Sequence, residues 1–144
     1  MTINNNFFSK IKSTQLLSRL LNPYKNTATI TLNGNNLLIK WTERANNKLL
    51  KIQQGLVIEL QLSFACLVVK RVFFHENSDL NSTTINKNLA ITFRVVQSSM
   101  CNTDILSGQL PTSKILTSRA ARNMHPSRVQ FDYCHNKWSG EYFI

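Results

Sequence analysis

Cys101, His125, Cys134 and His135 carry the side-chain chemistry of a zinc site or of a Cys–His nucleophile pair. A turn that presents two ligands to one zinc ion leaves a C-x2–4-C or H-x3–5-H signature, and the sequence has neither. Cys134 and His135 are adjacent, so on a strand they face opposite sides unless a turn intervenes. A nucleophilic thiolate needs a base within hydrogen-bond reach, and spacing alone does not say whether these four residues converge. With seven acids there is no paired-carboxylate signature, and four scattered glycines make no phosphate-cradling loop. Enzyme chemistry is the least supported reading, and no cofactor is expected.

The cations say more. The net charge is +10. Residues 1–42 contain five Lys and Arg and no acid, and residues 105–131 contain Lys114, Arg119, Arg122 and Arg128 and no acid. Such an imbalance is an argument about partners rather than fold. It favours a polyanion, RNA or a ribonucleoprotein before others. Phe131, Tyr133, Trp138 and Tyr142 follow the second basic stretch at once. Exposed rings on a sheet stack bases while cations neutralise phosphates, but large rings are more often core.

A third cation pair sits inside an apolar run, "FACLVVKRVFFHE" (64–76), which holds Lys70 and Arg71. A spanning helix is excluded. Residues 56–74 also contain Glu59 and Gln61, each central charge costs about 2.5–3.5 kcal/mol on insertion, and the apolar period is two. No transmembrane segment is expected. The alternation predicts a strand with Ile58, Leu60, Leu62, Phe64, Cys66 and Val68 on the core face, Cys66 included as packing. Glu59, Gln61, Ser63 and Arg71 then share the solvent face. Lys70 falls in the apolar phase, so its ammonium must snorkel at the sheet's end, meet an acid, or sit beside a bulge. The candidate polyanion contacts are therefore Lys70, Arg71, Lys114, Arg119, Arg122 and Arg128.

The elements that must position these residues follow from local signals. Residues 7–21 read as a helix ended by Asn22-Pro23. Asn33-Gly34 between two β-rich runs predicts a hairpin with strands at 28–32 and 37–41. Thr42 is placed to cap a helix that puts Ala45, Leu49 and Ile52 on one face, with Gly55 as its stop. Residues 75–88 read as a polar loop. "LAITFRVV" (89–96) is a strand with Leu89, Ile91, Phe93 and Val95 inward. "SKILTSRAARNM" (113–124) reads as a helix, and "RVQFDYCHNKWSGEYF" (128–143) as a closing hairpin.

"LLIKWTERANNKLLKI" (37–52) resembles the strand–helix opening of RelE/ParE-type toxins, and "WSGEYFI" (138–144) resembles their Gly-acid-Tyr strand. For members of that family that act on ribosomes, the resemblance implies mRNA cleavage by scattered Lys, Arg and Tyr residues.

These readings give one α+β domain at 28–144, with a mainly antiparallel sheet of about six strands and one or two packing helices. A basic arm or helix precedes it at 1–27, with composition that overlaps a targeting segment. Three cysteines without framework spacing favour a reducing setting, the cytoplasm or an organelle matrix. The leading function is a small binding or assembly protein for RNA or a ribonucleoprotein. The alternatives are an adaptor that docks on a protein complex without nucleic acid and a RelE-like ribonuclease toxin. Oligomeric state is not legible.

Overall fold

The computed structural model describes residues 16–98, 113–115 and 123–144. Residues 16–21 are helical (α1). After them come β1 (Asn26–Leu32), β2 (Asn35–Trp41), α2 (Glu43–Lys51), β3 (Leu56–Phe64), β4 (Val68–Glu76), β5 (Thr83–Asn86), β6 (Leu89–Ser98), β7 (Ser113–Ile115), β8 (Arg128–Cys134) and β9 (Lys137–Phe143). The class is α+β, as the sequence predicts.

Several elements follow directly from their residues. Asn33 and Gly34 adopt φ of 52° and 85°, the pair of positive angles that a two-residue hairpin turn needs. The Thr42 hydroxyl accepts from the Ala45 amide at 3.2 Å and so caps α2. At the end of α1, the Asn22 amide still reaches the Ser18 carbonyl at 2.9 Å, and Pro23 follows.

The pairing is mainly antiparallel, as expected, but one sheet of about six strands is corrected to two sheets. The strands form two sheets, ordered β1-β2-β8-β9 and β4-β3-β6-β5, with β7 added beside β6. Each sheet has a parallel pair at its centre, β2 with β8 and β3 with β6, flanked by antiparallel partners. Turn chemistry reveals hairpins but not which hairpins lie side by side, so the parallel contacts leave no local trace.

Three further expectations are corrected. Residues 56–74 are not one strand: β3 and β4 form a hairpin around Ala65, Cys66 and Leu67. That turn contains no Gly, Pro or Asn. A three-residue turn also places Phe64 opposite Val68, so the period-two pattern runs through it undisturbed. Cys66 is consequently exposed at the turn, not packed in the core, and it is disulfide-bonded. Residues 75–88 include the end of β4 and all of β5. Residues 113–115 are a strand on β6 rather than the start of a helix; the rest of that expected helix up to residue 122, like residues 1–15, lies outside the described residues. No helix among the described residues is long and apolar enough to cross a membrane.

The two sheets share one core. Leu37, Ile39, Trp41, Val129 and Phe131 from the first face Leu56, Ile58, Leu60, Leu62, Leu89, Ile91 and Phe93 from the second. α2 links β2 to β3 and contributes Ala45 and Leu49 to that core. Along one edge the sheets meet through β4 and β9. Phe74 stacks on Trp138 at 5.8 Å between ring centroids and lies 6.3 Å from Phe131. The buried Tyr142 of β9 donates its hydroxyl to the Gln61 carbonyl of β3 at 2.8 Å, and its ring meets Phe93 edge-on at 6.2 Å.

Two substitutions probe this seam. A Cβ on Gly140 would stand 3.0 Å from both the Gln130 carbonyl oxygen and the Phe74 ring. Gly140→Ala is expected to destabilise by roughly 1–3 kcal/mol in chemical denaturation, as overpacking does. Tyr142→Phe keeps the ring but leaves the Gln61 carbonyl without its partner, and should cost about 1–2 kcal/mol in the same assay.

Candidate functional site

The Lys70 problem resolves without a bulge. The β3–β4 register runs unbroken from Leu56↔Glu76 to Phe64↔Val68, with Lys70 opposite Leu62. Lys70 therefore keeps the inward phase of Val72 and Phe74. Its ammonium reaches the neighbouring sheet edge, where it donates to the Tyr142 carbonyl at 3.1 Å. There it lies 5.6 Å from the Tyr142 ring centroid and 5.8 Å from that of Phe143. An ammonium at a sheet margin is thus satisfied by a carbonyl and two ring faces rather than by an acid.

Phe143 collects a second cation. In the β8–β9 register it stands opposite Arg128, whose guanidinium carbon is 4.3 Å from the Phe143 ring centroid. The Arg128 Nε is buried without a hydrogen-bond acceptor among the described residues. Neither Lys70 nor Arg128 forms an ion pair among the described residues. The two cations flank one ring at the margin of the first sheet's outward face, where Lys40 and Gln130 also lie by alternation with the buried Ile39, Trp41, Val129 and Phe131.

Arg71 does not join them. It is exposed and pairs in register with Gln61, in the opposite phase to Lys70. Lys114 falls in β7 opposite Gln97. Arg119 and Arg122 lie outside the described residues. Glu59, expected on a solvent face, is only 6% exposed. Its carboxylate takes Arg94 at 3.3 Å and meets His75 at 2.8 Å, so its charge is matched within the second sheet.

The four aromatics that follow the basic stretch are core, the commoner place for large rings. Phe131 and Tyr142 are buried, and Tyr133 and Trp138 pack against the core cluster. The sequence signal for Phe143 is visible only in hindsight: it is in alternate phase to Tyr142, on the strand paired with Arg128.

A second feature lies at the other end of the outward face. Arg44, in the first turn of α2, grips Asp132 of β8 with two donors, Nε at 2.8 Å and Nη2. Asp132 also accepts from the Thr42 hydroxyl and, at 2.7 Å, from the Tyr133 amide. Arg44 Nη2 further donates to the Ser18 hydroxyl at 3.2 Å, and Arg19 pairs with Glu141 at 3.6 Å. These contacts fix α1 over the sheet and leave a cleft of about 470 Å³ lined by Arg19, Tyr24, Asp132, Cys134, His135 and Ser139 among others. Burial pushes the Tyr24 phenol above its ordinary range, a shift that Asp132 and Glu141 reinforce and the Arg19 and Arg44 charges oppose.

Cys134 is a free thiol there, and His135 and Asn136 turn the hairpin with φ of 53° and 59°. His125 lies instead against the Phe93 ring of the second sheet, and Cys101 is outside the described residues. No cluster of three His, Cys, Asp or Glu groups suited to a metal ion occurs among the described residues.

Burial alone would raise the Asp132 carboxyl. The hydrogen bonds from Arg44, Thr42 and the Tyr133 amide, with the Arg44 charge, outweigh it and hold the group below the usual carboxylate range. A carboxyl depressed in the folded state adds stability that is present above its unfolded value, near pH 4, and is lost as pH falls through the folded value. Denaturation midpoints should therefore drop between about pH 5 and pH 2. Asp132→Asn should melt below the native chain at pH 7 and lose stability less steeply across that acid range. Comparison with family models, curated proteins and solved structures finds no match to this chain.

Proposed function

We propose that this chain is a small binding or assembly protein for RNA or a ribonucleoprotein, and that the polyanion lies on the outward face of the first sheet. One observation carries the reading: Lys70 and Arg128, neither with a carboxylate partner among the described residues, converge on Phe143. Cations held in place by ring contacts are preorganised for phosphate, and the net charge of +10 supplies a long-range field for a polyanion. Arg71 faces away and is assigned no part.

A second reading, an adaptor docking on a protein complex, is favoured by the exposed Leu16, Leu17, Leu20 and Leu21 of α1. It predicts a protein partner that co-purifies after nuclease treatment, and no direct binding to RNA.

Binding of a mixed-sequence RNA is expected to weaken linearly in log affinity against log salt. Lys70→Ala and Arg128→Ala should each lower that slope by about one and weaken binding uniformly across sequences. Arg71→Ala should leave both unchanged. A flat slope, or no binding at low salt, overturns the proposal. Melting curves of the variants separate lost contacts from lost folding, because Lys70 also ties β4 to β9.

A further inference from the structure

We infer that the cleft between α1 and the β8–β9 hairpin takes an unstacked nucleobase, so that the polyanion is single-stranded rather than duplex. The inference rests on the polyanion reading above and adds the class of ligand.

Three observations support it. First, cleft and cations belong to one surface. The outward residues of β8 run from Arg128 through Gln130 and Asp132 to Cys134, about 20 Å of strand, enough for a few nucleotides. Arg128 marks one end and the cleft the other. Arg19, well exposed while paired with Glu141, stands at the cleft and supplies a cation part of the way along.

Second, the cleft has the contents that suit a base rather than a phosphate. Its buried charge is already matched, because Asp132 and Arg44 satisfy one another. The remaining lining groups are a phenol ring at Tyr24, an imidazole at His135, the Cys134 thiol, the small polar side chains of Ser18, Asn22 and Ser139, and Arg19, whose charge Glu141 pairs. Rings offer stacking faces, and hydroxyl and amide groups read base edges by hydrogen bonds. At about 470 Å³ the volume falls in the range of small-ligand sites.

Third, a duplex keeps its bases stacked and offers phosphates and groove edges. It would use the cations and leave a concave polar cleft on the same face without a role. A single strand uses both, as proteins do that combine a charged track with ring platforms.

The test compares three probes on the full chain at one salt concentration: a labelled oligouridylate of about ten nucleotides, its duplex with oligoadenylate, and heparin. The single strand should bind at least about tenfold more tightly than the duplex. Tyr24→Ala should weaken oligouridylate about tenfold, in line with the loss of one stacked base, and leave heparin unchanged. Tyr24→Phe, which keeps the ring, should bind oligouridylate like the native chain. Equal affinity for strand and duplex, or an unaltered Tyr24→Ala, overturns the inference while salt-dependent heparin binding keeps the charge-based reading. If Tyr24→Ala weakens heparin and oligouridylate alike, Tyr24 acts through the fold and the inference also falls. If the native chain binds none of the three at low salt, both readings fall.

Discussion

Tyr142 joins the two halves of this molecule. Its ring is in the shared core against Phe93, its hydroxyl is bonded to the β3 backbone at Gln61, and its carbonyl takes the ammonium of Lys70 from β4. A sheet with one apolar face must bury that face against another element. Each sheet therefore depends on the other, and one β9 residue makes polar contacts with both β3 and β4 of the second sheet. Burial raises the phenol far above its ordinary range, which favours the protonated hydroxyl that donates to Gln61.

The charge pattern follows from how the few acids are used. Glu59 takes Arg94 and His75, Asp132 takes Arg44, and Glu141 takes Arg19. Glu43 accepts from Asn26 and Glu76 from Trp138. Acids are thus engaged in holding elements together, and the excess cations are left to solvent, to carbonyls and to ring faces. Lys48 shows the same habit as Lys70 and Arg128, lying 5.2 Å from the Tyr133 ring centroid. Few of these contacts is strong alone, since a cation over a ring at the surface contributes about 0.5–1 kcal/mol. Together they orient charge without neutralising it.

Local signals were legible where chemistry is local. Asn33-Gly34, the Thr42 cap, Pro23, and the inward sets of β3, β6, β8 and β9 all stand where the residue pattern puts them. The pattern failed where a tertiary contact overrides it. Ala65-Cys66-Leu67 turns the chain with residues that signal no turn, and β5 forms from a polar stretch because β6 offers it an edge. Glu59 is buried because β4 and β6 bring it a histidine and an arginine. For the site, the oddity of Lys70 was readable from phase alone. Its meeting with Arg128 at Phe143 was not, because it depends on two sheets whose contact has no sequence signature.

The parallel pairing of β2 with β8 has a consequence for how the chain is made. Thr42 and Asp132, which tie the ends of those strands together, stand 90 positions apart. The whole second sheet is encoded between them. A chain emerging from the ribosome completes the β1–β2 hairpin early, yet the second edge of β2 has no partner strand until residues 128–134 arrive. High contact order of this kind slows folding and prolongs exposure of apolar strand edges. The polar threonines of β1, at 27, 29 and 31, are exposed in the folded chain, so one side of that hairpin is polar by composition while the apolar side is the one left open.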